Sequence, residues 1–179
     1  MKYQDILEFW FASTTEPFWF AKSTDFDQKL THRFDNILQK AQHNELYLWR
    51  DSAQGRLAEI IILDQFSRNI YRDTAQAFAQ DAQALALAQH AISLGLDQDL
   101  SPPQRRFLYM PFMHSESKLI HQQAVALFRA LGDTNSLNYE LRHQQIIEQF
   151  GRYPHRNAIL GRRSTPAELE FLTQPNSNF

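Results

Sequence analysis

The stretch GRLAEIIILDQFSRNIY, residues 55–71, decides the fold. At 100° per residue, Leu57, Ile60 and Ile61 share a face with Asp64 and Arg68, while Ile62, Phe66 and Ile70 occupy the opposite one. A helix that is apolar nearly all round belongs at the centre of a fold. Asp64 and Arg68 then stand one turn apart on a buried face, where an i,i+4 pair spares each an uncompensated charge.

The same period continues on both sides of this helix. Phe26, Leu30, Phe34, Ile37 and Ala41 form one stripe, and Phe78, Ala82, Leu85 and Ile92 form another. The five glycines, at 55, 95, 132, 151 and 161, all fall near breaks in the pattern. Helices often end at such residues, because glycine enters the left-handed region without a side-chain clash. Ser101-Pro102 and Thr165-Pro166 place a cap before proline at the first helical position, and Thr165 with Glu168 makes a capping box. No alternating strand with a hairpin turn is present.

The expectation is therefore an all-α single domain over residues 1–179, with about seven to nine helices. DAQALALAQHAISLG (81–95) and HQQAVALFRALG (121–132) read as members of stacked helical hairpins. The alanines at 82, 84, 86, 88 and 91 permit close helix approach. The end, TQPNSNF (173–179), reads as loose or as tucking Phe179 into a groove.

Hydrophobic content of 43% with 13% aromatic residues fits a folded chain rather than a disordered one. A net charge of −2 does not suggest a general polyanion binder or a membrane-surface protein. Without cysteine there are no disulfides or thiolate ligands. MKYQDILEFWFA lacks the uninterrupted apolar core of a signal peptide, and no stretch reaches the roughly 20 apolar residues of a membrane span. A cytoplasmic protein is expected. The aromatic N-terminal residues Phe9, Trp10, Phe11, Phe18, Trp19 and Phe20 read as core. Thirteen of the eighteen basic residues are arginine, the cation suited to bidentate pairing with carboxylates.

Several other polar residues share apolar faces. Asp81 lies with Phe78, Leu85 and Ile92. Glu116 lies with Leu119, Ile120 and Leu127, in what reads as the first turn of a helix. His143 lies among Tyr139, Ile146, Ile147 and Phe150. The connector FGRYPHRNAILGR (150–162) adds Arg152, His155, Arg156 and Arg162. Residues 142–163 contain five arginines against one acid, Glu148. Such groups either clamp helices together or converge on a cleft with shifted pKa values.

His114 and Glu116 suggest a general base or, with His121 and Asp64, metal ligands, but their spacing matches no established zinc motif. Ser115 also reads as a helix cap. No nucleophile elbow, dinucleotide fingerprint or phosphate loop occurs, and the lysine-poor composition disfavours nucleic acid as a partner. No metal, cofactor or membrane partner is expected.

LAEIIILDQFSRNIYRDTAQAFAQDAQAL (57–85), FLYMPFMHSES (107–117) and FGRYPHRNAILGRRSTPAELEFL (150–172), with ILEFWF near the start and FWF at 18–20, resemble the bacterial family called domain of unknown function 924. The resemblance implies a tetratricopeptide-like superhelix and no established reaction. The polar positions it carries over are Asp64, Gln65, Arg68, Asn69, Arg72, Asp81, His114, Ser115, Glu116, His143, Arg152, His155, Arg156, Asn157 and Arg162. Ser67 and Tyr153 depart from the family's usual proline and phenylalanine, and SKLIHQ replaces the usual acidic and glutamine positions after HSE.

Three functional expectations follow. The first is a binding module for an anionic small molecule or acidic peptide, held by Arg68, Arg72, Arg152, His155, Arg156 and Asn157. The second is a cofactor-free hydrolase or lyase with His114, Glu116, Asp64 and His143 as candidate catalytic groups. The third is a scaffold in which the charges serve folding alone. Oligomeric state is not legible.

Overall fold

The computed structural model describes residues 1–175 and 177, so the proposed role of Phe179 lies outside the described residues. The chain is all-helical, and no strand occurs among the described residues. It divides into two compact units. Unit 1 contains residues 1–72 and 76–111; unit 2 contains residues 73–75 and the chain from Phe112 onward.

In unit 1, α1 (Tyr3–Trp10) packs on α3 (Ala53–Ile61), and α3 packs on α5 (Asp81–Ser93). The long α2 (Thr24–Gln42) lies against α4 (Ser67–Ile70) and the turn preceding it. Residues 62–66, expected to continue an α-helix, instead form a π turn between α3 and α4. A wider turn of this kind shifts the side-chain register by about one position. Phe66 is fully buried, with ring centroids 4.9 Å from Phe34 and 5.6 Å from Trp10. Ser67 continues the helix where proline would remove an amide, and Tyr71 N–H bonds its carbonyl at 3.0 Å.

Phe9 and Trp10 join the core as expected, whereas Phe20 is 68% exposed. Four glycines have positive φ and close helices or turns. Gly55 does not: it is the third residue of α3, where the chain crosses the carbonyl of Trp49. α6 (Pro102–Met113) carries Pro111 within it, where the division between the units falls.

In unit 2, α7 (Lys118–Leu131) and α8 (Thr134–Phe150) form a tightly packed hairpin joined at Gly132 and Asp133. Lys118, at the start of α7, bonds the carbonyl of Glu148 near the end of α8, which makes the pair antiparallel. Gly151 ends α8, and a 3-10 turn at Pro154–Arg156 leads towards α9 (Pro166–Leu172). The expected capping box of Thr165 and Glu168 opens α9. No helix among the described residues is long and apolar enough to cross a membrane.

Candidate functional site

Each unit holds a polar cluster of its own. In unit 1 the Asp64–Arg68 pair forms as the wheel predicts, at 3.1 Å, with the Asp64 side chain 1% exposed. Arg68 also donates to the Asp64 carbonyl and grips both oxygens of Asp81, at 2.9 and 3.1 Å. Gln65 donates to the other Asp64 oxygen at 2.5 Å. One guanidinium thus ties the π turn to the start of α5. Arg72 grips both oxygens of Asp27 at 2.6 and 2.9 Å, and Asn69 donates to the same carboxylate at 2.8 Å. That second fork ties α4 to α2.

In unit 2 the connector after α8 is organised by three acids. Glu116 accepts two bonds from Arg162, at 2.6 and 2.9 Å, and one from the Tyr153 amide at 2.7 Å. It lies before α7 rather than in its first turn, because that helix starts at Lys118 with Ser117, not Ser115, in the cap position. Burial pushes its carboxyl up, but the bonds from Arg162 and Tyr153, with the charges of Arg162 and Arg156, hold it below the usual range. Glu168 takes a fork from Arg152 at 2.6 and 2.8 Å. That fork is the main reason its carboxyl is lowered to about 2, against burial and with help from Thr165 and Asn157. Asn157 is fully buried, accepts from Arg162 Nε at 3.0 Å and donates to Ser164 at 3.1 Å. Its side chain closes the connector on itself.

The third acid, Glu140, is fully buried and meets His121 Nδ1 at 2.7 Å. His121 Nε2 faces the Ser115 carbonyl at 2.8 Å and the Tyr153 hydroxyl at 3.1 Å. The hydroxyl itself donates to the Met113 carbonyl at 2.5 Å. A carbonyl only accepts, so His121 must carry a proton on Nε2. Burial pushes the Glu140 carboxyl up and His121 offsets only part of this. His121, Glu140 and Tyr153 all have 0% exposure, so this His–acid pair is sealed from solvent.

Around the Tyr153 ring lie the remaining candidates. The Arg156 guanidinium stacks over it at 4.5 Å from the centroid, and Arg156 is 6% exposed. The rings of His155, His143 and His121 have centroids 5.5, 5.7 and 6.3 Å away. His143 bonds the Tyr139 carbonyl through Nδ1 at 2.7 Å, which fixes its neutral tautomer and makes Nε2 the acceptor. Its pKa is lowered to about 3. Burial is the largest cause, opposed by the Tyr139 bond and reinforced by positive charge from His114, His121 and Arg156. Arg156 therefore acts on both Glu116 and His143.

The structure thus gathers Arg156, His155 and His143 about one ring, and His114 bears on His143 through its charge. Asp64, Arg68 and Arg72 belong to the cluster of unit 1. The acids at 64 and 81 take Arg68, whereas Glu116 alone of those three takes an arginine of the connector, Arg162.

Glu140 and Asp27 were not picked out from the sequence. The first was legible, since Ser136, Glu140, His143 and Ile147 follow helical spacing and all are buried. The second was not, because its partner Arg72 lies 45 residues away in sequence.

These shifts set a pH dependence for stability. His143 has a folded pKa below its ordinary value near 6.5, so the unfolded chain binds its proton first. Stability should fall as pH drops from about 6.5 towards 3, and Glu168 should extend the loss from about 4.5 towards 2. Glu140, shifted up, works in the opposite sense: it favours folding below its ordinary value and loses that contribution as pH rises through its folded pKa. Urea unfolding of wild type and His143→Phe at pH 7 and pH 4 separates the terms. Wild type should lose more stability across this interval than the variant, and equal losses would remove His143 as the cause.

The fold and clusters define a helical protein with an acid–arginine cluster in one unit and an arginine–histidine cluster around Tyr153 in the other. The chain belongs to the family described as "Bacterial protein of unknown function (DUF924)", which matches residues 6–176. It is similar to a solved structure of a protein of unknown function, ATU0120, from Agrobacterium tumefaciens. The two are 39% identical, with a TM-score of 0.90, over 95% of this chain and 96% of that one. No curated protein matches the chain.

Proposed function

We propose that this protein is a helical binding module for a small anionic group, phosphate or carboxylate, whether free or on an acidic peptide. Arg156 is the centre of the site, with His155, His143 and His114 beside it. The observation that supports this is the arginine–histidine cluster around Tyr153: the Arg156 guanidinium lies over the ring at 4.5 Å, with the rings of His155 and His143 at 5.5 and 5.7 Å. A guanidinium fork suits a two-oxygen anion. Stacked hairpins forming a superhelix, as the family resemblance implies, would present such a site on a concave face.

Arg68, Arg72 and Arg152 hold carboxylates of this chain, so an anion at any of them must displace Asp81, Asp27 or Glu168. This favours structural roles for those three. A catalytic role is less well supported, because the closest His–acid pair, His121 with Glu140, is fully buried.

Calorimetric titration with inorganic phosphate, succinate and a polyglutamate peptide at pH 7 tests the reading and separates free from peptide-borne anions. Saturable binding of at least one probe is expected, weakened about tenfold or more by Arg156→Lys, which keeps the charge but loses the fork. Arg163→Gln, at an exposed position, should bind as wild type. No saturable heat with any probe, or wild-type affinity in Arg156→Lys, would overturn it.

A further inference from the structure

The α2 face of unit 1 carries a depression that none of the roles above uses. It has a volume of about 240 Å³, small beside the roughly 300–1,000 Å³ of common ligand pockets. Arg33, Lys40 and Glu45 supply charges, and Trp49, with the few exposed atoms of Ile37 and Leu46, supplies the apolar part. Arg33, Ile37 and Lys40 follow i, i+4, i+7 along α2, so helical spacing alone places both cations beside the apolar residue.

Arg33 is held in place by the rings of Phe9 and Phe34, each 4.9 Å from its guanidinium carbon. Trp49 is braced edge-on by Tyr3 at 6.3 Å. Among the described residues, Arg33, Lys40 and Glu45 form no ion pair, unlike Arg50 nearby, which is forked onto Glu59 at 2.6 and 2.7 Å. Two cations, one acid and an aromatic wall therefore meet in a volume suited to a single ring.

We infer that this depression is a second ligand site, which takes a monocarboxylate with a compact apolar or aromatic body. The carboxylate lies between Arg33 and Lys40, and the body packs on Trp49, Ile37 and Leu46. Glu45 beside Arg33 and Lys40 opposes a second negative charge on the ligand. The site is independent of Arg156, so it stands or falls separately from the site in unit 2.

The test is an NMR titration of the intact protein that follows the Trp49 indole N–H, with benzoate, benzyl alcohol, phthalate and inorganic phosphate as probes. Benzoate should shift that resonance saturably. Benzyl alcohol, phthalate and phosphate should each bind more weakly, and Arg33→Gln and Lys40→Gln should each weaken benzoate about fivefold or more. Arg156→Lys should leave the benzoate curve unchanged. Absence of a saturable Trp49 shift with benzoate would overturn the inference. So would equal affinity for benzyl alcohol, or unchanged benzoate affinity in both Gln variants.

Discussion

Replacing Arg68 by methionine should cost about 3–5 kcal/mol of folding stability, the range seen when one partner of a buried ion pair is removed. Arg68 serves two carboxylates, Asp64 with a side chain 1% exposed and Asp81 with one 18% exposed. Methionine refills the aliphatic volume but leaves both acids facing a site with no guanidinium. The π turn and the start of α5 would lose their shared fork. Arg68→Lys should be intermediate, since an ammonium restores charge without bidentate geometry. Urea unfolding midpoints at pH 7 read the effect, and a loss below about 1 kcal/mol in Arg68→Met would show that the cluster is not a clamp.

Gly55→Ala should be the second large effect, and its sign runs against helix propensity. Alanine is about 1 kcal/mol better than glycine inside a helix, so an unhindered site would gain stability. Here the added Cβ would overlap the Trp49 carbonyl oxygen, 2.8 Å from its carbonyl carbon and 3.0 Å from Ser52 Oγ. Ser52 caps α3 by accepting from the Gly55 amide at 3.1 Å, so the cap cannot retreat without losing that bond. A net loss of about 2–3 kcal/mol is expected from overpacking against backbone. Thermal or urea unfolding reads it, and a variant as stable as wild type would mean that the turn at 47–51 yields freely.

Much of this was legible before the fold was known. The all-helical class followed from apolar spacing, and the Asp64–Arg68 pair from a single wheel at 100° per residue. The capping box at Thr165 was written in local sequence. The π turn was not, because residues 62–66 keep an ordinary helical composition and the wider turn answers to tertiary packing around Phe66. The partners of Arg72 and Arg162 were illegible for another reason. Asp27 and Glu116 lie 45 and 46 residues away in sequence, and helical periodicity reports which face a residue occupies but not which acid it meets.

The connector 150–162 shows where sequence reading stops. Its arginines look alike as letters, yet Arg162 and Arg152 hold carboxylates in forks while the Arg156 guanidinium lies over Tyr153, 4.5 Å from the ring centroid. Only geometry separates the two that close the connector from the one over the Tyr153 ring.

The titration of His143 tests the anion site most directly. Carbon-13 NMR of its imidazole should give a pKa near 3 in anion-free buffer, because burial and neighbouring positive charge disfavour protonation. Saturating inorganic phosphate should raise it by about one unit or more, since a bound anion offsets the charge of Arg156 and His114. An unchanged His143 pKa under saturating phosphate would contradict an anion site beside Arg156.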